Sequence, residues 1–242
     1  MPANLLRLTR LLGTVLLTAC AGGQASGSSD SSAPSATASN TTANTDSAWR
    51  SLVSLDNWRG YRTQSAPTGW SANDSIITKS GVGQDIVSRE TFTDFELAFD
   101  WMLDAGGNSG IFYRATEEYN KIYWSAPEFA LLDNARHPDG RNPLTTAGAA
   151  HSLYAPPPGV VRPAGEWNVT RVIVRGTHAE HWLNGQKVVE FDYGSPDFNA
   201  RVARSKFAVW PNFAKATSGV IGIQGDHTGV LSIRNIRIRE FR

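Results

Sequence analysis

The chain has 242 residues, of which 40% are hydrophobic and 19% charged, and its formal net charge is +1. Because the charge is balanced and no basic patch stands out, nucleic acid is not expected as a partner. A single cysteine argues against a disulfide framework and against a cysteine metal site, while eight tryptophans suit either a β-core or a sugar-binding surface.

The N-terminus predicts a lipoprotein signal over residues 1–19. Arg7 and Arg10 precede a short apolar stretch, which is followed by Leu17-Thr18-Ala19-Cys20. A basic start, a short apolar segment and small residues form a secretory signal, and the stretch is too short to span a bilayer as a mature helix. Because Cys20 fits the position of a lipidated cysteine, we expect a membrane anchor there; the alternative is a plain secretory signal. By similarity to lipoprotein sorting, Ala21 favours the outer membrane, so the protein is expected in the cell envelope, on its periplasmic side or surface.

Residues 20–47 are predicted to be a flexible tether. They are rich in Ser, Thr, Ala, Gly and Asn and contain no aromatic residue. Such a composition cannot bury enough apolar surface to offset the entropy lost on ordering. Residues 48–242 are long enough for one sizeable core, so they are predicted to form the folded domain.

The folded part carries mostly β signals. Phe95, Leu97, Phe99 and Trp101 alternate with smaller or polar residues and predict a half-buried strand, with Trp101 in the core. Other strands are predicted at 111–114, 128–132, 169–175, 179–183, 186–191, 219–224 and 230–241. Asn184-Gly185 predicts a tight hairpin, and a slip in the alternation at Asn235 predicts a bulge.

This pattern indicates an all-β sandwich or barrel, since no stretch reads as a long amphipathic helix. A long irregular loop, Ala135–Arg162, leaves directly from the predicted strand 128–132. Long ordered loops in compact domains are usually functional or mobile. His178 and His181, next to Trp182, are expected at the surface.

Two runs predict a binding groove: residues 106–114, Gly-Gly-Asn-Ser-Gly-Ile-Phe-Tyr-Arg, and residues 128–134, Glu-Phe-Ala-Leu-Leu-Asp-Asn. Both place polar groups on or beside strands, next to glycines that allow a ligand to come close. Glu128 is the first candidate for a catalytic base, the alternative being a surface or ion-paired glutamate. Arg114 is predicted either to pair with Glu128 across neighbouring strands or to hold a sugar oxygen, the alternative being a structural salt bridge.

The residues after Glu128 leave further alternatives. Asp133 joins the same site only if the strand ends or bulges there; otherwise Asp133-Asn134 opens a turn. His137 is either an acid, base or ligand, or a solvated loop histidine. Asn108 and Ser109 lie in the glycine-rich turn, where their donors could reach a carbonyl oxygen.

The order of these motifs resembles the 3-keto-disaccharide hydrolase domain family over nearly all of residues 49–242. The matching segments are Phe95-Glu96-Leu97, residues 106–111, Arg114, Glu128 to Asn134, His137, residues 165–168, Leu183-Asn184-Gly185, Gly222-Ile223-Gln224 and Arg234-Asn235-Ile236. The resemblance implies a concanavalin A-like jelly-roll sandwich and cleavage of glycosides whose 3-hydroxyl has been oxidised to a ketone. Two segments depart from the family pattern: Ala130 stands where the family usually has Gln, and residues 224–229 contain insertions.

A 3-keto group acidifies the proton on C2, so a base can remove it and the enolate can expel the glycosidic oxygen. The catalytic residues are accordingly predicted to be Glu128, Asp133 and His137. The predicted substrate-binding residues are Asn108, Ser109, Arg114, Trp124, Asn134, His151, Trp210, Gln224 and His227. A divalent metal ion is a candidate cofactor, because His137, His151 and His227 could bind it together with Glu128.

The leading functional hypothesis is therefore a lipid-anchored hydrolase or lyase of 3-keto-glycosides. The first alternative is a non-catalytic, lectin-like carbohydrate-binding module, since this fold hosts both classes. The second alternative is an ordinary glycosidase, which needs two carboxylates facing each other across the groove.

Overall fold

The computed structural model describes residues 48–65 and 67–241. The predicted signal, the lipidation site Cys20 and the tether lie outside the described residues. Within those residues, no helix is both long enough and apolar enough to cross a membrane.

Thirteen strands and one α-helix form in the described part of the chain. In chain order they are β1 (Arg50–Ser51), β2 (Trp58–Gly60), β3 (Trp70–Asn73), β4 (Ile76–Ser80), β5 (Ile86–Phe92), β6 (Phe95–Leu103), β7 (Asn108–Ala115), β8 (Glu128–Leu132), β9 (Asn168–Arg175), β10 (His178–Leu183), β11 (Gln186–Asp192), α1 (Pro196–Arg204), β12 (Gly219–Ile223) and β13 (Val230–Glu240). The predicted all-β sandwich is confirmed, and the predicted strands form close to their expected bounds.

The strands make two antiparallel sheets. The larger sheet has the order β11-β10-β9-β6-β13-β4-β3, with β1 paired to β13, and the smaller has the order β2-β5-β12-β7-β8. The main core lies between them; Phe99 of β6, for example, meets Phe129 of β8 edge to face. The sheets therefore bury one face of each against the other, as in a jelly roll.

The turn predictions hold. Asn184 and Gly185 both have positive φ, at 49° and 86°, as the tight hairpin between β10 and β11 requires. In β13 the pairing with β6 shifts between Arg234 and Arg237, and Asn235 has a φ of 55°. The bulge predicted at Asn235 is confirmed.

Two sequence expectations are wrong about burial. The polar face of β6 is not open to solvent, because Glu96 is buried beneath Arg171 and Arg239, which both donate to its carboxylate. His181 is completely buried and not at the surface: its Nε2 lies 2.7 Å from the Tyr113 hydroxyl and its Nδ1 lies 3.0 Å from the Gly148 carbonyl oxygen. Alternation alone did not show that neighbouring side chains would cover these positions.

The smaller sheet also carries a second apolar cluster on its outer face, where the segment between β7 and β8 folds over it. Ile122 of that segment packs so closely on Gly222 that a Cβ there would lie 2.2 Å from its Cδ1. This cover occupies one part of the outer face. The part around Gly110, Glu128 and Gln224 carries the cavity described next.

Candidate active site

A polar cavity of about 400 Å³ opens on the outer face of the smaller sheet. Its lining residues come from β7, β8 and four connecting segments: Asn108, Tyr123, Glu128, Asp139, His151, Lys206, Gln224, Asp226 and His227. Five of the twelve predicted site residues are therefore brought together here, namely Asn108, Glu128, His151, Gln224 and His227. Their roles remain predictions.

Glu128 lies over the backbone of the neighbouring strand. Gly110 on β7 has no side chain, and a Cβ built there would come within 2.3 Å of Glu128 Oε1. The carboxylate therefore occupies the space that any other residue would fill. Burial raises the pKa of Glu128 to about 7, while the charges of Lys206 and His227 oppose that rise. A carboxylate poised in this way can exchange protons at neutral pH.

The long loop places His151 beside Glu128 by closing the edge of β8. The Ala130 amide donates to the Ala149 carbonyl, the Gly148 amide to the Ala130 carbonyl, and the His151 amide to the Glu128 carbonyl, at 2.9–3.1 Å. This backbone pairing covers an otherwise exposed sheet edge. As a result His151 Nδ1 lies 3.9 Å from Glu128 Oε2. Burial lowers the pKa of His151 to about 4, so its ring is neutral at pH 7.

Residues 225–227, the segment that carries His227, are each fixed by a polar contact. Asp85 accepts from the Gly225 amide at 2.8 Å, Lys121 pairs with Asp226 at 3.2 Å, and the buried Lys79 donates to the His227 carbonyl at 2.6 Å. The Gln224 amide donates to Gly110 O at 2.9 Å, which ties this segment to the floor of the cavity. The insertions in this segment thus sit in a well-fastened turn.

Asp133 stands apart from the cavity, contrary to its predicted catalytic role. Its carboxylate accepts from the Gly106 amide at 2.8 Å and from the Ala135 amide at 3.2 Å. It therefore organises the turn after β8, which is the turn-opening alternative that the sequence left open. Asn134 has a similar local role, since its Oδ1 accepts from the Ala147 amide at 2.8 Å.

Arg114 and Ser109 also point elsewhere. Arg114 has a φ of 53°, which breaks the alternation of β7 and sends the guanidinium to the Thr93 and Gly176 carbonyls and to Asp94, 2.9 Å away. The predicted salt bridge is therefore structural and is not made with Glu128. Ser109 is fully buried and donates to the Gln224 carbonyl at 2.8 Å.

His137 occupies the border of the site. Its Nδ1 accepts from the Asp139 amide and its Nε2 lies 3.5 Å from Asn108 Nδ2. It starts a short 3₁₀ turn at 138–141 and helps to hold Asn108, which lines the cavity.

The two predicted tryptophans contact each other instead of lining the cavity. Trp124 and Trp210 stack with ring centroids 4.1 Å apart, and Tyr123 meets Trp124 edge to face. Tyr123 is the aromatic ring that reaches the cavity. The stacked tryptophans therefore contact the cavity only indirectly, through Tyr123.

The proposed metal set of His137, His151, His227 and Glu128 is not assembled around one point. Among the described residues, the one group of three or more His, Asp or Glu whose ligand atoms come within 4.8 Å of one another is His178, Glu180 and Glu190. That group lies on the β10–β11 hairpin, where Lys187 already pairs with both glutamates.

Sequence reasoning missed Tyr123, Asp139, Lys206 and Asp226. Asp226 precedes His227 and Asp139 follows His137 by two residues, so their neighbours gave a signal. Lys206 follows α1 and reaches the cavity only through tertiary packing. No motif marks it.

Comparisons with known proteins agree on one family. Residues 48–239 match the family model of the 3-keto-alpha-glucoside-1,2-lyase-like domain. A 3-keto-disaccharide hydrolase from Bacteroides thetaiotaomicron is 32% identical over 218 residues, covering 77% of this chain and 75% of that protein. The chain belongs to this family, and a glycoside hydrolase-type activity is supported.

Solved structures give the same fold. A protein from Parabacteroides distasonis, provisionally assigned as a glycosyl hydrolase, is 28% identical with a TM-score of 0.75, covering 80% of this chain and 94% of that chain. A Bacillus subtilis protein of unknown function with a galectin-like fold is 14% identical with a TM-score of 0.54, covering 81% and 97% of the two chains. The jelly-roll assignment is thereby confirmed.

Proposed function

We propose that this protein cleaves the glycosidic bond of 3-keto-glycosides by removing the proton on C2. The observation that carries the proposal is Glu128: a buried carboxylate with a pKa of about 7, at a cavity that also holds a neutral histidine and a lysine. Such a group is matched to proton abstraction at neutral pH. Family membership supports the choice of 3-keto-glycosides as the substrate class.

The reaction follows from the ketone. Glu128 takes the C2 proton, and the electron pair of the C–H bond forms the enolate of the C3 ketone. When the enolate collapses, its electrons form a C1–C2 double bond and expel the glycosidic oxygen, which gains a proton. Water then adds to C1 while C2 is reprotonated, and the sum is hydrolysis. His227, which lines the same cavity, is the candidate acid for the leaving oxygen.

An ordinary glycosidase is the second candidate, because Asp139 and Asp226 also line the cavity with Glu128. Two carboxylates on opposite sides of a glycosidic bond would suffice for that chemistry. Against this, Asp226 is engaged by Lys121 at 3.2 Å. A carbohydrate-binding module without activity is the third reading.

The test compares a 3-keto-disaccharide with its unoxidised parent as substrates of the purified protein. We expect turnover of the keto form alone. The substitution Glu128→Gln should lower kcat/KM by about 10²–10⁴, the usual contribution of a general base. Glu90→Gln, which changes an exposed glutamate paired with Arg50, is the matched control and should leave kcat/KM unchanged.

The pH profile adds a second readout. Because the base must be ionised, kcat/KM of the wild type should rise with pH and level off above about 7, where Glu128 has lost its proton. The residual kcat/KM of Glu128→Gln should not show this rise between acidic and neutral pH. Turnover of the parent sugar alone would favour the ordinary glycosidase, and turnover of neither sugar would favour the binding module.

A further inference from the structure

His151 has an unusual pair of neighbours. On one side its Nε2 lies 3.4 Å from the ammonium nitrogen of Lys206, and on the other its Nδ1 lies 3.9 Å from Glu128 Oε2. Nδ1 is buried and has no hydrogen-bond partner among the described residues. The ring thus separates a cation from the candidate base, with one nitrogen left unengaged.

These contacts determine which nitrogen carries the proton. An ammonium group can only donate hydrogen bonds, so the nitrogen facing Lys206 must accept. A neutral imidazole has one N–H, and burial keeps His151 neutral by lowering its pKa to about 4. The N–H is therefore on Nδ1, the nitrogen that faces the carboxylate of Glu128.

Lys206 is suited to this task because, among the described residues, its ammonium group makes its polar contact with His151 Nε2, at 3.4 Å, and forms no ion pair within 4 Å. Its ammonium group lies 5.3 Å from the ring centre of Phe207 and 5.9 Å from that of Tyr123, which keeps the charge near the cavity wall. The charges that face His151 are those of Glu128, Lys206 and Asp139.

We propose that neutral His151, held in its Nδ1–H tautomer by Lys206, is the electrophile of the site and donates this N–H to the ketone oxygen of the substrate. Lys206 is then a positioning residue. The inference rests on the proposed function, because it needs a substrate with a ketone beside the acidic C–H. The 3.9 Å between Nδ1 and Glu128 Oε2 leaves room for one group to approach C2 and the other the ketone oxygen on the neighbouring C3 of the same sugar.

The proton and electron balance is simple. Glu128 accepts the C2 proton, and the C–H electron pair moves to the C3 oxygen, where the Nδ1–H bond stabilises the growing negative charge. The imidazole keeps its proton and donates only a hydrogen bond. A neutral imidazole beside a carboxylate base is an established solution for enolisation, since its acidity is closer to that of the enol than an imidazolium's would be.

The first experiment reads the tautomer without any substrate. In protein labelled with ¹⁵N-histidine, long-range ¹H–¹⁵N NMR distinguishes Nδ1–H from Nε2–H. We expect the Nδ1–H form of His151 in the wild type and in Lys206→Arg, and a shift towards Nε2–H in Lys206→Met. An Nε2–H tautomer in the wild type would overturn the proposal.

The second experiment measures polarisation of the ketone. Methyl 3-keto-α-glucoside, ¹³C-labelled at C3, is bound to Glu128→Gln, which cannot complete the reaction, and the carbonyl band is recorded by infrared difference spectroscopy. The expected result is a shift to lower frequency that disappears when His151→Phe is added and partly returns with His151→Asn. A bound ketone with an unshifted band would exclude His151 as electrophile.

Activity provides the third readout. Loss of one oxyanion donor should lower kcat by about 10²–10³. His151→Phe is expected to show this loss, and His178→Gln, an exposed histidine outside the cavity, is the matched control. Full kcat in a correctly folded His151→Phe would contradict the proposal.

The failures of the two proposals are distinguishable. If the labelled keto-sugar does not bind and no keto-glycoside is turned over, the proposed function fails, and the electrophile proposal fails with it. If the keto-sugar binds and reacts while its band stays unshifted, only the electrophile proposal fails.

Discussion

At the scale of single residues, the properties of Glu128 come from what surrounds it. A glutamate on an exposed strand face would have an ordinary carboxyl pKa. Here the side chain lies against the bare backbone of Gly110 and is almost fully buried, and desolvation of the charged form raises its pKa to about 7. Gly110 is therefore as much a part of the site as the acid itself.

This relationship gives a prediction for Gly110→Ala. The new methyl group would lie 2.3 Å from Glu128 Oε1, so the carboxylate must move. A misplacement of about 1 Å costs on the order of 10² in rate, and we expect kcat/KM to fall by that order. The measurement is steady-state kinetics with the 3-keto-disaccharide, together with a thermal melt to show that the variant is folded.

Gly60→Ala is the control for this prediction. Gly60 lies on β2 of the same sheet, and the atoms nearest to its added methyl group would be those of the flexible end of Gln84, which can move. Its kcat/KM should stay close to that of the wild type. Equal kinetics for Gly110→Ala and the wild type would show that Glu128 does not need its observed position.

At the scale of elements, the two ends of β7 have different tasks. The end at Asn108 and Gly110 forms the floor of the cavity. The end at Arg114 binds Thr93 O and Asp94 in the connection between the two sheets, and Gly176 O in a turn of the larger sheet. These contacts depend on the positive φ at Arg114, which turns its side chain out of the alternation of the strand.

We therefore predict that Arg114→Met lowers stability and leaves catalysis intact. Removing a guanidinium whose side chain is 5% exposed takes the cation away from Asp94 and the donors away from two carbonyls, and the free energy of unfolding should fall by about 2 kcal/mol or more. Urea unfolding measures the loss, and the KM for the keto-sugar should not change.

Arg50→Met is the comparison, because Arg50 pairs with Glu90 at the surface and such pairs contribute about 0–1 kcal/mol. If Arg114→Met instead raised KM and left stability unchanged, the result would support the substrate-binding role predicted for Arg114.

At the scale of the whole molecule, the sandwich buries a histidine between its sheets. His181 of β10 lies 2.7 Å from the Tyr113 hydroxyl on β7, so this contact spans from the larger sheet to the smaller one. Its Nδ1 donates to the carbonyl of Gly148, which belongs to the loop that closes the edge of β8. A protonated ring at this position would leave a charge inside the core.

Acid should therefore destabilise the fold through His181. Burial lowers the pKa of His181 to about 4, against 6.5 in the unfolded chain. Between these values the unfolded chain binds the proton and the folded one does not, so stability is lost as the pH falls below 6.5. From pH 7.5 to 5, this amounts to about 2 kcal/mol.

The measurement is urea unfolding at both pH values, comparing the wild type with His181→Gln. The comparison is needed because Glu128 and Asp85, whose pKa values are raised by burial, change stability in the opposite direction. The wild type should lose more stability than the variant on acidification. The same loss in both proteins would show that His181 does not titrate in this way.

Lipidation at Cys20 is a proposal about the whole protein that the described residues do not test. When the full chain is made in a bacterial host, we expect incorporation of labelled palmitate and partition into the detergent phase. The substitution Cys20→Ser should abolish both. If the Cys20→Ser protein still incorporates palmitate, the lipid is not attached at Cys20.

The sequence by itself determined the β-rich fold, the hairpin at Asn184-Gly185, the bulge at Asn235 and the strand that carries Glu128. These features depend on alternation and on local backbone preferences, which a short window of residues contains. Motif order was sufficient to identify the family. The sequence also marked Asn108, His151, Gln224 and His227, which the fold brings to one cavity.

Only the tertiary structure decided which polar residues meet. The sequence allowed a pair between Arg114 and Glu128, yet Arg114 has a positive φ and its guanidinium binds Asp94, while Asp133 bonds to its own turn. Lys206 reaches His151 across 55 positions of sequence, and no local pattern encodes such a contact. Desolvation is likewise a property of the packed molecule, so the pKa values of Glu128 and His151 could not be read from the chain.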